Sequence, residues 1–326
     1  MRSLFVSERY RELAFVGFLM GTLLVFLLAA EAALRLEVQN ILPLEEREGE
    51  YVEFWQEVGF VVPEISTYRA RPNSEFDGIE INSLGFRGPD IETPKPDGRV
   101  RIAVLGNSTV LALGLGEAET IPAQLVAQLS NRNPACRFDY LSVSGADYTH
   151  SDLEWLMTHG VNSVEVDHVV IVHTGAGRQP NIVFRDKFYE KFRLFWHLRD
   201  TFQMVDGQWR FDKTVPDALR NRISAEVASL ERIVQSAPQA EIWYQSVFRT
   251  DHAQDDPVKN LWMEETTAAL SAYDQAAFSK TLQSIPSTSA YFLSPAHYTP
   301  KGAAMAAQLI ADDFFAAYPE QNALCK

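Results

Sequence analysis

The chain has 326 residues, with 29 Lys+Arg against 43 Asp+Glu, a net charge of −14. So large an acidic excess argues against nucleic acid as partner, because phosphate binding needs a cationic face that releases counterions. Hydrophobic residues at 46% and charged residues at 22% give a globular rather than a disordered balance, and 17 Gly and 16 Pro are too few for a collagen-like or low-complexity chain.

From Leu13 to Ala30 the sequence reads LAFVGFLMGTLLVFLLAA, with Thr22 its only polar residue. Extended through Ala32, Ala33, Leu34 and Leu36, this run reaches the roughly 17–25 residues that a membrane-spanning helix needs. The expectation is a cytoplasmic tail over 1–12 and an anchor over 13–36. Ala30-Glu31-Ala32 leaves cleavage as a signal peptide as the alternative, although the apolar core exceeds the usual roughly 7–15 residues. Arg2, Arg9 and Arg11 precede the run and only Arg35 and Arg47 follow it, so the positive-inside rule keeps the N-terminus cytoplasmic and exports the rest. In a Gram-negative cell the main domain then faces the periplasm, attached to the inner membrane.

Residues 37–98 lack clear periodicity and are expected to form a membrane-proximal segment packed on the main domain. Pro94-Lys95-Pro96-Asp97-Gly98 marks its end, since each proline biases its predecessor away from helix. Over 99–326, short apolar runs alternate with helical patterns. Arg101–Gly106, Phe138–Val143, His168–Val172, Glu241–Gln245 and Tyr291–Leu293 read as strands. Ile121–Leu129, Asp152–His159, Ala218–Val234, Leu261–Leu282 and Lys301–Phe315 read as helices. That alternation predicts an α/β domain with a parallel sheet covered on both faces. Ligands bind such sheets beyond the carboxyl ends of the strands. Residues 178–216, aromatic and Arg-rich, are too long for a simple link and are expected to form a lid or wall.

The unusual sequence lies at those carboxyl ends. Gly106-Asn107-Ser108-Thr109 follows the first strand, and a serine there can present its hydroxyl beside backbone N–H groups, as a nucleophile requires. An ordinary Asn-Ser-Thr turn is the plain alternative. Ser144-Gly145-Ala146-Asp147 follows the second strand, where glycine lets the backbone approach a ligand and donate its N–H. Near the C-terminus, Ser294-Pro295-Ala296-His297-Tyr298-Thr299-Pro300-Lys301-Gly302 precedes the last helix. Thr299 suits its N-cap and Pro300 its first turn, which brings His297 to the same sheet edge as Ser108.

With these residues in this order, the chain resembles the SGNH (GDSL-like) hydrolase superfamily of serine esterases and acyltransferases, over about residues 80–316. Asn82-Ser83-Leu84-Gly85-Phe86-Arg87-Gly88 resembles the lead-in of membrane-anchored members linked to bacterial surface polysaccharides. The resemblance implies a flavodoxin-like three-layer sandwich, with Ser108 as nucleophile, His297 as base and Gly145 as an oxyanion donor. It further implies an acylated glycan or other ester as substrate. Two positions depart from the family pattern. Ser294 stands where the family has Asp, and Ala176 stands nearest the place of its Asn. A Ser294 hydroxyl or carbonyl is then the candidate to orient His297, and Arg178 the candidate replacement donor. A non-catalytic glycan-binding or envelope assembly protein is the alternative function.

Asp251-His252 and Asp255-Asp256 match no metal-ligand spacing, and no metal or cofactor is implied. His150 and His173 lie near the same edge, the latter read as a structural histidine. Phe188, Tyr189, Phe192, Phe195 and Trp196 could stack on sugars but more commonly pack a core. Two cysteines are too few for a disulfide scaffold or a four-thiolate zinc site. Cys136 and Cys325 remain open between one bridge and two thiols.

Overall fold

The computed structural model describes residues 15–30, 32, 53–62, 67–146, 148–173, 204–205, 208–209, 215, 217–247, 257–286, 288–294 and 297–318. The chain divides into two compact units, one of Met1–Asn40 with Asn181–Asp212, the other of Ile41–Pro180 with Lys213–Lys326.

In the first unit, residues 15–30 are helical. Phe15, Phe18, Met20, Val25 and Phe26 lie exposed along this stretch. The Thr22 hydroxyl is spent on its own helix, donating to Phe18 O at 2.9 Å. Among the described residues no helix is long and apolar enough to cross a membrane. Residues 15–30 rise about 24 Å, short of the roughly 30 Å of hydrocarbon. The rest of the expected 13–36 span, except Ala32, lies outside the described residues. Met204–Val205 and Gln208–Trp209 pair as a small antiparallel hairpin.

The second unit is built on five parallel strands, β1 (Arg99–Gly106), β2 (Arg137–Ser144), β3 (His168–His173), β4 (Glu241–Ser246) and β5 (Ala276–Ser279). Their order is β2-β1-β3-β4-β5, the flavodoxin-like arrangement whose switch point lies between β1 and β3. Helices α1 (Ser108–Leu111), α2 (Ile121–Arg132), α3 (His150–His159), α4 (Asp217–Ser236), α5 (Pro257–Leu270) and α6 (Pro300–Ala317) complete it. On one face Ala103, Leu105, Val169, Ile171, Ile242 and Tyr244 pack against Leu153, Leu156, Ile223, Leu230 and Trp262 of α3, α4 and α5. On the other, Trp243 stacks on Phe314 of α6 at 4.7 Å. The sheet is thus covered by helices on both faces, because its central strands are apolar on both.

Two assignments from sequence are corrected. The fifth strand is Ala276–Ser279, not Tyr291–Leu293, and Phe292–Ser294 instead pairs antiparallel with His297–Tyr298. The helix expected to run to Leu282 ends at Leu270. Tyr273 N–H donates to Leu270 O there and Ile242 N–H takes Gln275 O, which turns the chain into the sheet. The apolar spacing through Ala272–Phe278 fits either helix or strand, and the tertiary partner decides it.

Side chains from residues 53–62 and 68–88 pack on the domain. Phe54, Val58, Ala70, Ile79 and Ile81 share a core with Leu111 and Leu113, just after the Ser108 turn. Cys136, at the entry to β2, is disulfide-bonded. The one other cysteine in the chain, Cys325, lies outside the described residues.

Candidate active site

Gly106 of β1 pairs with Ser144 of β2 and with Val172 of β3. Ser108, Gly145 and His173 therefore leave or end adjacent strands in a row at the carboxyl edge. The chain turns at once into α1 after β1. Asn107 caps it, its side chain accepting from Thr109 N–H at 3.1 Å. Gly106 has no room for a side chain, since a Cβ would lie 2.3 Å from Val110 Cγ2 and 2.6 Å from Val172 O. Ser108 is half-buried, while Thr109, Val110 and Leu111 behind it are buried. The turn ends at Ala112, whose φ of 50° is left-handed for a residue with a Cβ. Ala112 N–H closes it by donating to Ser108 O at 2.9 Å.

Gly145 lies under the ring of Tyr148, which would stand 2.3 Å from a Cβ there. Tyr148 is pinned at both ends, its hydroxyl donating to Tyr68 O at 2.7 Å and its carbonyl accepting from His173 Nε2 at 3.1 Å. Burial pushes its phenol pKa up. Thr149 and Asp152 then form a reciprocal capping box that starts α3. Burial raises the Asp152 carboxyl, although its bonds to Thr149 pull the other way.

His297 is buried at 6% exposure. It sits in the short hairpin whose other strand ends at its partner Ser294, and this hairpin contacts the Ser108–Leu111 turn. Thr299 fixes the hairpin to α6, its hydroxyl donating to Ala290 O at 2.7 Å and accepting from Gly302 N–H at 3.0 Å. The structure therefore brings the elements bearing Ser108 and His297 together. Ala176, Arg178, Asp251, His252, Asp255, Asp256 and the aromatics at 188–196 lie outside the described residues, as does the Ser294 side chain.

Both edge histidines are engaged. His173 holds Tyr148 as above. His150 gives its backbone N–H and its Nδ1 to Glu226 Oε2, at 2.8 and 3.1 Å. The two rings lie 4.2 Å apart. Among the described residues no group of three or more His, Cys, Asp or Glu could hold a metal ion.

Sequence reasoning missed the residues that brace this edge. Arg87 of the Asn82–Gly88 segment is 2% exposed, and Glu226 comes from α4, far along the chain from His150. Only the glycines around Arg87 signal that the first is special. Gly85 and Gly88 have φ of 79° and 107°, and a Cβ at Gly88 would meet Glu117 Oε1 at 3.0 Å.

No protein-family model matches the chain, and no curated protein matches it. Among solved structures, it is similar to a carbohydrate esterase family 2 enzyme with a carbohydrate-binding domain from Corynascus thermopiles (Myceliophthora fergusii). That match has 15% identity over 72% of this chain and 70% of that one, with a TM-score of 0.45. It is similar to the psychrotrophic esterase EstA of Pseudoalteromonas, with 11% identity over 68% and 99% of the two chains and a TM-score of 0.45. It is also similar to Axe2, an acetylxylan esterase of Geobacillus stearothermophilus, with 12% identity over 67% and 93% and a TM-score of 0.43.

Proposed function

We propose that this chain is a membrane-anchored envelope serine esterase or O-acyltransferase acting on ester-linked acyl groups, with an acylated surface polysaccharide as substrate class. Ser108 Oγ attacks the acyl carbonyl while His297 takes its proton, then returns it to the leaving alcohol. Water completes hydrolysis, or a second hydroxyl completes transfer. The N–H groups of Ser108 and Gly145 hold the oxyanion, with Arg178 and the Ala176 backbone as further donors from the segment after β3. Ser294 orients His297 in place of a carboxylate.

The observation that carries this reading is the meeting of the Ser108 turn and the His297 hairpin at the switch-point edge. The apolar side chains exposed along residues 15–29 support an anchor, since such a surface needs lipid or protein to cover it. On this reading residues 1–12 stay in the cytoplasm, 37–98 form the membrane-proximal segment, and 99–326 form the exported catalytic domain.

A second reading, a non-catalytic glycan-binding or assembly protein, is favoured by two departures in the sequence, Ser294 and Ala176. Loss of a triad carboxylate can cost about 10⁴ in rate. The test is labelling of the detergent-solubilised full chain with a fluorophosphonate ester, beside hydrolysis of an aryl acetate. Labelling and turnover in wild type but not in Ser108→Ala are expected. No labelling from mildly acid to alkaline pH overturns the catalytic reading and favours the second.

A further inference from the structure

Arg87 makes four side-chain hydrogen bonds, all within the chain between Leu111 and Glu117. Its Nε donates to Glu117 Oε2 at 2.9 Å. Its Nη1 donates to Leu111 O at 2.6 Å and Ala112 O at 2.8 Å, and its Nη2 to Leu115 O. The other Glu117 oxygen accepts the Tyr140 hydroxyl at 2.6 Å. The backbone of Arg87 bridges to Ile81 on one side and to Ser142 of β2 on the other. One arginine thus ties together the membrane-proximal segment and, through its backbone, the strand that leads to Gly145, while its guanidinium holds the chain leaving the Ser108 turn.

The three carbonyls it collects belong to the last residue of α1 and to the loop just after it. A four-residue helix cannot satisfy its own C-terminal carbonyls, and a single turn is not stable by itself. The left-handed Ala112 adds backbone strain at the same place. The planar fork of arginine reaches several carbonyls and a carboxylate at once, whereas the point charge of lysine does not. The segment around it is shaped to deliver it. Asn82 Oδ1 accepts from both Leu84 N–H and Phe86 N–H at 3.0 Å, and a Cβ at Gly85 would lie 2.8 Å from Ala70 O.

We propose that Arg87, with Glu117 as its counter-ion, is the positioning residue that fixes the Ser108 turn and so the direction of the attacking hydroxyl. The proposal rests on Ser108 being the nucleophile, and the membrane-proximal segment becomes a working part of the site rather than a spacer. A brace of this kind acts on the geometry of attack and leaves substrate binding alone, so its loss appears in kcat and not in KM.

The test uses the full chain carrying Arg87→Lys or Arg87→Ala, with steady-state kinetics on an aryl acetate and hydrogen exchange over residues 108–115. Arg87→Lys is expected to lower kcat about 10²-fold with KM within about twofold, and to speed exchange in that stretch at least about tenfold. Added ethylguanidinium is expected to restore part of the kcat of Arg87→Ala but none of that of Arg87→Lys, which no role in bulk stability predicts. Wild-type kcat and wild-type exchange in Arg87→Lys overturn the proposal. If wild type itself fails to hydrolyse the ester, the catalytic reading falls, and the exchange measurement alone decides whether Arg87 braces the turn. If the Arg87 variants do not fold, Glu117→Gln decides it. Faster exchange at 108–115 and a lower kcat are then expected, and unchanged values of both overturn it.

Discussion

The ring of Tyr148 occupies the space that a Cβ on Gly145 would need, with its Cζ 2.3 Å from that position. The ring cannot swing aside, because its hydroxyl is held by Tyr68 O and its own carbonyl by His173. Gly145→Ala must therefore move the 145–148 backbone and redirect the Gly145 N–H. The expected result is a stability loss of about 1–3 kcal/mol from overpacking, together with, on the proposed catalytic role of Gly145, a fall in kcat on an aryl acetate of about 10²–10³-fold, as for loss of one oxyanion donor. Adding Tyr148→Leu should return much of the stability. Wild-type turnover in Gly145→Ala would place the oxyanion elsewhere.

Glu226 is the second prop of the same loop. Burial would push its carboxyl up, but the hydrogen bonds and charge of His150, with the charge of His173 beyond, outweigh burial and hold it below the ordinary 4.5. A lowered carboxyl adds stability that is fully present above the unfolded value and lost as pH falls through the folded one. Asp152, raised by burial, works in the opposite sense over the acid range. Glu226→Gln keeps the shape and removes the charge opposite a buried imidazole. It is expected to cost about 1.5–3 kcal/mol, the worth of hydrogen bonds to a charged acceptor, and to flatten the acid limb of the stability curve. Urea titrations of both proteins from about pH 6 down to about pH 2 check this, and curves that stay parallel below the ordinary carboxylate value exclude it.

Much of the fold is readable because the central strands are apolar on both faces and alternate with amphipathic helices. Val169–Val172 and Ile102–Leu105 have no other role open to them. The fifth strand is not readable, because Ala276–Ser279 is short and its identity depends on β4 being beside it. At the site, Ser108 and Gly145 stand out since each follows an apolar strand, and His297 since a capping Thr299 and a helix follow it. Glu117 and Tyr140 give no such signal, and Arg87 gives only the glycines beside it. A single arginine reads as surface until the fold shows that its partners, Leu111 to Glu117 and Tyr140, surround it. The His150–Glu226 pair joins two helices with no shared pattern, so only tertiary packing reveals it.

At the far end of β3, His168 predicts an acid sensitivity independent of the site. Burial lowers its pKa from 6.5 to about 4, with Asp167 opposing and Lys95 assisting. Glu241 Oε2 is 3.8 Å from its Nδ1, and its ring meets Phe314 edge-on at 5.2 Å. The unfolded chain takes up a proton near 6.5 and the folded chain only near 4, so stability rises with pH across this window. The contribution is complete above the upper value and is lost as pH falls towards the lower, about 3 kcal/mol at most. Wild type should lose roughly that much more than His168→Leu between pH 7 and 4 in chemical denaturation. Equal losses would mean that folding does not lower the His168 pKa.

Gly302 gives the last test, of the joint between the His297 hairpin and α6. A Cβ there would lie 1.9 Å from Tyr291 O and 2.9 Å from Tyr298 Cδ1. Tyr291 O is backbone and also accepts from Thr299 N–H at 3.0 Å, so it cannot yield without opening the hairpin that carries His297. Thr299→Ala removes a cap from the same joint and should cost about 1 kcal/mol. Gly302→Ala should cost more, lowering Tm by roughly 3–10 °C, and should depress kcat on an aryl acetate beyond Thr299→Ala because it displaces His297 and not only the helix start. A Gly302→Ala protein that melts with wild type would show that α6 does not approach Tyr291 this closely, and the placement of His297 beside the Ser108 turn would lose its structural basis.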